Sequence, residues 1–376
     1  MCEAMTQKLI CNISSSFDRY EIEIGRDLLR FQSKYLNSLS SRFAIITDNN
    51  IASLYGEQLR KSLVSSGLEV YLFSFPNGEQ YKTRATKEAL ENQLFEKGLS
   101  RDTCVIALGG GVVTDIAGYV AATYCRGVPL VMIPTSLLGM VDASIGGKTG
   151  VNLPYGKNMV GCIYQPKKVV IDLSTLKSLP KKELANGVVE MVKQGLIADG
   201  KLFEDLEKRS DQLLALDSAV VEKVIFESCR IKKEIVEQDG KENGKRRLLN
   251  FGHTIGHALE RLTQYSLVHG EAVAIGLLVE SYLSVKLGIL DQKSLDRIKR
   301  ILLQYGLPLR LPSRFPIPSI LDAMVLDKKS LGGLPRFVMI DAIGSSLAYD
   351  SAYCTHVEES LIKNALHWMN DDLCCY

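Results

Sequence analysis

Along the first half of the chain, short apolar runs alternate with amphipathic stretches. Residues 42–48 (RFAIITD) form a compact apolar run that ends in polar residues, which predicts a buried strand. Residues 50–67 follow with apolar positions at helical spacing and a terminal glycine, which predicts a helix that stops there. The alternation repeats: a strand at 68–75 (LEVYLFSF), a helix at 86–98, a strand at 103–111 (TCVIALGGG), a helix at 113–127 and a strand at 129–134 (PLVMIP). Strands separated by helices specify βαβ units and a mostly parallel sheet covered on both faces. Beyond about Leu179-Pro180 the pattern becomes charged, amphipathic and strand-poor until PRFVMIDAIG at 335–344. The expected class is therefore α/β: a mostly parallel α/β domain over 1–179, then a mainly α-helical domain over 180–376 with one small late hairpin. Ligand pockets favour the junction of two such domains, so a site is expected there.

Bulk properties narrow the function only a little. With 376 residues the chain can bury two cores, and 46% of its residues are hydrophobic. The 45 basic and 43 acidic residues nearly cancel, which removes any general electrostatic reason to bind nucleic acid. Any anion recognition is then local. The longest basic cluster, Lys245-Arg246-Arg247, reads either as a solvated loop or as part of such a local site. Nine cysteines without a C-x-x-C spacing argue for reduced thiols and a cytoplasmic protein. The start MCEAMTQKLICN lacks the pattern of a secretory leader, and no apolar run reaches the roughly 18 residues that span a bilayer. Cys374 and Cys375 read as a frayed end rather than a thiol pair.

Candidate chemistry begins at ALGGGVVTDIAG, where three glycines stand between a strand and a helix. Such a turn lets backbone N–H groups and a helix N-terminus approach a phosphate. Thr114 occupies the place of the third glycine in G-x-G-x-x-G, so the Rossmann fingerprint fails, and no P-loop lysine follows. A plain tight turn and a pyrophosphate site both fit. Upstream, TDNN places Asp48 and Asn50 at the end of one strand, and PNGEQYK places Glu79 and Lys82 after the next. Open α/β sheets bind ligands at that edge, and three such turns fit a dinucleotide.

The helical half holds a second constellation. Only five histidines occur, yet His253 and His257 lie four residues apart in NFGHTIGHALE and share a helical face. Thr254 follows His253, so the H-E-x-x-H metalloprotease motif is absent. Glycines at 252, 256 and 270 leave room for an ion and a substrate. His269 opens the next helix-like run, and a catalytic metal takes about three protein ligands. Glu190 is a candidate third ligand, although Glu190 and Lys193 read equally well as an exposed i,i+3 ion pair. Asp142, Lys148, Lys157 and Asn158 fall in the glycine-rich, helix-poor stretch VDASIGGKTGVNLPYGKNMVG, which is a surface loop or an anion site. Arg126, Lys193, Lys232, Arg246 and Lys328-Lys329 extend the supply of cations toward a small substrate with two anionic groups.

The succession GGGVVTDIAGYVAATYCRGVPLVMIPTSLLGMVDASIGGKTGVN, GKNMVGCIYQP, VVEMVK, LLNFGHTIGHALE, VHGEAVAIG and LDKK resembles the 3-dehydroquinate synthase family over about Asp48 to Lys329. The resemblance implies an NAD-binding α/β domain, a helical metal- and substrate-binding domain, a homodimer, NAD, and one divalent metal, zinc or cobalt. It implies conversion of 3-deoxy-D-arabino-heptulosonate 7-phosphate to 3-dehydroquinate and phosphate, with NAD regenerated each turnover. By motif position it makes Glu190, His253 and His269 metal ligands. Cofactor contacts would be Asp48, Asn50, Glu79, Lys82, Gly110, Gly111, Asp115, Thr135, Ser136 and Lys157. Substrate contacts would be Arg126, Asp142, Lys148, Asn158, Lys193, Lys232, Arg246, Asn250, His257 and Lys328, with Lys148, Lys193, Asn250 and His257 catalytic. It also implies that Arg126 reaches the neighbouring subunit's site. Ser136 and Ser178 depart from the family pattern, each keeping a hydroxyl. The rivals are a polyol dehydrogenase of the glycerol dehydrogenase type, which would release NADH, another sugar-phosphate cyclase, and a non-catalytic sensor.

Overall fold

The computed structural model describes residues 6–13, 19–30, 33–325, 334–349 and 352–374. It divides into two compact units. One comprises Met1–Leu179 with Lys232–Glu237, and the other Pro180–Ile231 with Gln238–Tyr376. The short Lys232–Glu237 segment joins the first unit although it lies in the second half of the sequence.

In the first unit, β1 (Gln7–Asn12) and β2 (Arg19–Gly25) pair antiparallel. Then come α1 (Ser33–Leu36) and β3 (Arg42–Asp48). The helical segment α2 (Asn49–Ile51) continues through a wider turn into α3 (Glu57–Ser65). β4 (Glu69–Phe75), α4 (Arg84–Glu96), β5 (Thr103–Gly109), α5 (Gly111–Thr123) and β6 (Leu130–Pro134) follow. A hairpin of β7 (Lys148–Leu153) and β8 (Gly156–Ile163) precedes β9 (Lys168–Asp172). The main sheet has the order β1-β2-β9-β6-β5-β3-β4, parallel from β2 to β4. Strand β5 is buried along its whole length, as a doubly covered parallel strand must be. Alternate residues Phe43, Ile45, Ile106, Leu108, Val131, Ile133 and Val170 build one core face, joined by Leu59 and Leu63 of α3.

Two sequence expectations change here. The main sheet has seven strands, because the N-terminal pair and β9 add to the four that apolar runs predicted. The glycine-rich stretch read as either a surface loop or an anion site is mostly the β7–β8 hairpin, in which Gly150 faces Gly161 across the ladder. A Cβ on Gly150 would come within 2.7 Å of the Val160 carbonyl oxygen, so the strand pair depends on that bare backbone. Thr149 Oγ1 donates to the Cys162 carbonyl at 2.9 Å and ties the strands together.

The second unit is helical: α6 (Lys181–Ala198), α7 (Gly200–Lys208), α8 (Ser210–Leu214), α9 (Ser218–Gln238), α10 (His253–Leu262), α11 (His269–Lys286), α12 (Gln292–Gln304), α13 (Ile317–Val325) and α14 (Glu359–Asp372). Part of α9, Lys232–Glu237, belongs to the first unit. The late hairpin is β10 (Ile340–Ala342) with β11 (Ser345–Ser346). Helices α6 and α11 are buried along most of their length, the mark of helices at the centre of a core, and α6 carries Asn186, Glu190, Lys193 and Gln194 among its buried residues. Among the described residues no helix is long and apolar enough to cross a membrane, and none of the seven described cysteines is joined in a disulfide. Cys375 lies outside the described residues.

Candidate functional site

In the first unit the chain leaves β3 for β4 on one side and returns through β5 on the other. The parallel strands therefore change winding direction between β3 and β5, and such a switch point opens a crevice at the carboxyl ends. Asp48 ends β3 there, and Gly109, Gly110 and Gly111 turn from β5 into α5. Asp48 also caps α2: its Oδ1 accepts from the Asn50 and Ile51 amides at 2.9 and 3.0 Å. Asn50 is exposed. Ser136, after β6, borders the glycine turn, since a Cβ on Gly110 would lie 3.2 Å from its Oγ. Thr135 is buried beside it. A glycine turn at a helix N-terminus, set at the switch point, fits a dinucleotide pyrophosphate.

Next to that turn the structure gathers Glu79, Lys82, Asp115, Lys157 and Asn158. The buried Lys82 ammonium donates to Asp115 Oδ2 and Asn158 Oδ1. Burial raises the Asp115 carboxyl above the usual carboxylate range, with the Lys82 charge pulling the other way. Lys157 Nζ stands 3.8 Å from Glu79 Oε1. Asn152, which sequence reasoning missed, links the group. Its amide donates to Glu79 Oε1 at 2.7 Å, its Oδ1 accepts from the Asn158 amide at 2.9 Å, and its own N–H donates to the Lys82 carbonyl at 2.8 Å. Asn158, expected on the substrate side, thus sits among residues expected on the cofactor side. Elsewhere in this unit, Lys232 Nζ donates to Asp142 Oδ1 at 2.6 Å and to the Asp142 carbonyl. Arg126 is exposed on the turn after α5 with φ 69°, and Lys148 is exposed at the start of β7.

In the second unit three helices bring Glu190, His253 and His269 together. Their ligand atoms lie within 4.8 Å of one another. Glu190 Oε1 is 3.6 Å from His253 Nε2 and 3.6 Å from His269 Nε2. The alternative of an exposed Glu190–Lys193 pair fails: the pair exists, but its side chains are only 1% and 2% exposed. Lys193 Nζ contacts Glu190 Oε2 and donates to the Leu249 carbonyl at 2.7 Å. His253 Nδ1 lies 3.0 Å from the Phe251 carbonyl, the geometry in which Nδ1–H donates and Nε2 is left toward Glu190. Burial disfavours a charged His269, but the Glu260 and Glu190 carboxylates outweigh it and raise its pKa to about 9. One carboxylate and two imidazoles fit zinc or cobalt with a coordination position left for substrate.

The glycines around the histidines do a different job from the one the sequence suggested. They do not hold space open; they let helices touch. Gly252 adopts φ 77° just ahead of α10, and its N–H donates to the buried Glu280 Oε2 at 2.9 Å. The Gly270 N–H donates to Asn186 Oδ1, and a Cβ there would lie 2.7 Å from the Asn186 Cα. Asn186 and Glu190 are one turn apart on α6, so this contact sets His269 beside Glu190. His257 is half-buried with its ring 5.3 Å from that of His253. Arg246 is 1% exposed and donates to the Gly240 carbonyl at 2.9 Å, which excludes the solvated-loop reading for it. Asn250 donates to Glu242 Oε1 at 2.9 Å. Glu260, also missed from sequence, lies 3.4 Å from His269 Nδ1. Lys328 and Lys329 lie outside the described residues.

A family model described as 3-dehydroquinate synthase N-terminal matches residues 72–186, and one described as 3-dehydroquinate synthase C-terminal matches residues 187–330. The 3-dehydroquinate synthase of Pelobacter propionicus is 44% identical over 307 residues, covering 81% of this chain and 85% of that protein. Among solved structures, 2-epi-5-epi-valiolone synthase from Streptomyces hygroscopicus subsp. jinggangensis, with NAD+ and Zn2+ bound, aligns with a TM-score of 0.86 at 29% identity, covering 96% of this chain and 99% of that one. A 2-deoxy-scyllo-inosose synthase complexed with carbaglucose-6-phosphate, NAD+ and Co2+ aligns with a TM-score of 0.86 at 25% identity over the same shares of the two chains.

Proposed function

Because this chain belongs to the 3-dehydroquinate synthase family and carries that family's function in the shikimate pathway, we propose that it is a carbon–oxygen lyase. Its substrate is 3-deoxy-D-arabino-heptulosonate 7-phosphate, and its products are 3-dehydroquinate and inorganic phosphate. Its cofactors are NAD and one divalent metal, zinc or cobalt, in keeping with its structural neighbours. The observation that carries the residue assignment is the convergence of Glu190, His253 and His269 within the helical unit. Bound, the dication supplies Lewis acidity and NAD supplies a hydride acceptor that is also the donor, chemistry that no side chain provides.

The chain's own residues hold and orient. Glu190, His253 and His269 would hold the metal, and Lys193 offsets the Glu190 charge so that the carboxylate can stay buried. Asp48, Asn50, Glu79, Lys82, Gly110, Gly111, Asp115, Thr135, Ser136 and Lys157 would bind NAD, the glycine turn taking its pyrophosphate. Lys148, Lys193, Lys232, Arg246, Arg126, Asn158, Asn250 and Lys328 would serve the substrate, with Asp142 steering Lys232 through its carboxylate and carbonyl. Cations at fixed positions suit a ligand with one carboxylate and one phosphate, and fixed ends keep successive intermediates in one geometry. His257 and Asn250 would move protons, Asn250 being oriented by Glu242. The reading includes a cytoplasmic homodimer. Scattered cysteines without a C-x-x-C spacing fit a reducing compartment, and the exposed Arg126 fits a role in the neighbouring subunit.

Supplying the heptulosonate phosphate, NAD and zinc, and following phosphate, carbocycle and NADH together, tests this reading. Phosphate and carbocycle should appear in equal amounts without net NADH. Accumulating NADH would indicate a dehydrogenase instead.

A further inference from the structure

Helix α10 presents His253, His257 and Glu260 at positions i, i+4 and i+7, one continuous face. The nitrogens of His257 and His269 and an oxygen of Glu260 lie within 4.8 Å of one another, a second acidic and imidazole group that shares His269 with the first. Glu260 is 1% exposed, and a carboxylate so buried requires a partner of opposite charge or a strong donor. His269 supplies it: its Nδ1 lies 3.4 Å from Glu260 Oε1, while its Nε2 lies 3.6 Å from Glu190 Oε1. The same division of labour holds for His253, whose Nδ1 lies 3.0 Å from the Phe251 carbonyl and whose Nε2 lies 3.6 Å from that same Glu190 oxygen. Both imidazoles therefore turn one nitrogen to a fixed acceptor and the other to a common point. Metal-ligating histidines are held in this way, and the acceptor fixes the tautomer, the ring plane and the basicity of the ligating nitrogen.

We propose that Glu260 is a positioning residue of the metal site, holding His269 through Nδ1 so that Nε2 faces the ion beside Glu190. It adds a second buried negative charge to the neighbourhood of the dication. The inference rests on the assignment of Glu190, His253 and His269 as metal ligands.

The test compares cobalt affinity, by competition with a chromophoric chelator, in the wild-type protein, Glu260→Gln and His253→Ala. Glu260→Gln should bind cobalt about 10–100-fold more weakly, with NAD affinity unchanged. Nitrogen-resolved NMR of the metal-loaded protein should show His269 losing its fixed Nδ1–H form in that variant, a change that a merely structural role would not produce. A folded Glu260→Gln protein with wild-type cobalt affinity and an unaltered His269 signal overturns the proposal. Should Glu260→Gln not fold, Glu260→Asp keeps the charge, shortens the reach and is read against the same outcomes. If His253→Ala also keeps wild-type cobalt affinity, the ligand assignment itself fails. If it loses cobalt while the Glu260 variants do not, only the positioning role fails.

Discussion

Replacing Glu190 with Gln keeps the side-chain shape and removes one charge from the most buried ion pair near the metal site. The Lys193 ammonium, 2% exposed, would keep the Leu249 carbonyl at 2.7 Å and lose its carboxylate. Removing one partner of a buried pair costs about 3–5 kcal/mol, because the remaining charge stays out of water without compensation. For a unit of this size each kcal/mol moves Tm by about 2–4 °C, so the metal-free variant should melt roughly 6–20 °C below wild type. Calorimetry in EDTA reads this number without interference from metal. Adding Lys193→Met removes the stranded charge and should recover most of the loss. Zinc should raise the Tm of wild type and not that of either Gln variant, since only a protein that binds the ion is stabilised by it. A Glu190→Gln protein that melts within about 1 °C of wild type in EDTA, or a double variant no better than the single one, would refute the reasoning.

Further variants probe other parts of the site. His253→Ala should abolish metal-dependent turnover while circular dichroism stays near wild type; retained activity with a bound metal would remove His253 from the ligand set. Gly270→Ala pushes a methyl group against Asn186 and shifts the first turn of α11, so it should cost about 1–3 kcal/mol and weaken cobalt binding together; normal stability and affinity would show that the helix contact does not set His269. Arg246→Ala should raise KM for the sugar acid phosphate and also lower Tm, because Arg246 is 1% exposed and donates to the Gly240 carbonyl; an unchanged kcat/KM would take it out of the site. Burial pushes the Cys104 thiol up to about 12, so at pH 8 it is almost wholly protonated. Mass spectrometry after native alkylation at that pH should find Cys104 unmodified, and rapid modification would contradict its place in the sheet core.

Much of this architecture was legible because periodicity reports burial. RFAIITD, LEVYLFSF, TCVIALG and PLVMIP mark β3 to β6, and the helical unit starts at Pro180. The β7–β8 hairpin was not legible, because glycines at 150, 156 and 161 read as loop and its β8 residues are half-exposed. Glu190 was ambiguous for a different reason: a Glu–Lys pair at i,i+3 looks the same in sequence whether it faces water or a core. Residue spacing could not tell which, whereas the packing of α6 against α11 could. Asn152 and Glu260 were missed because their partners come from other segments. For Glu260 a signal existed in its i+7 spacing from His253, on the face that already carried both histidines. The glycines at 252, 256 and 270 misled in the opposite sense, since a missing side chain marks close backbone approach as readily as open space.

A single divalent ion held by Glu190, His253 and His269 is tested most directly by crystallography of the zinc-loaded protein at the zinc absorption edge. One anomalous peak is predicted, bonded at about 2.0–2.2 Å to a Glu190 oxygen and to Nε2 of both His253 and His269. A peak bound by other side chains, or none in an enzyme that is active with zinc, would contradict it.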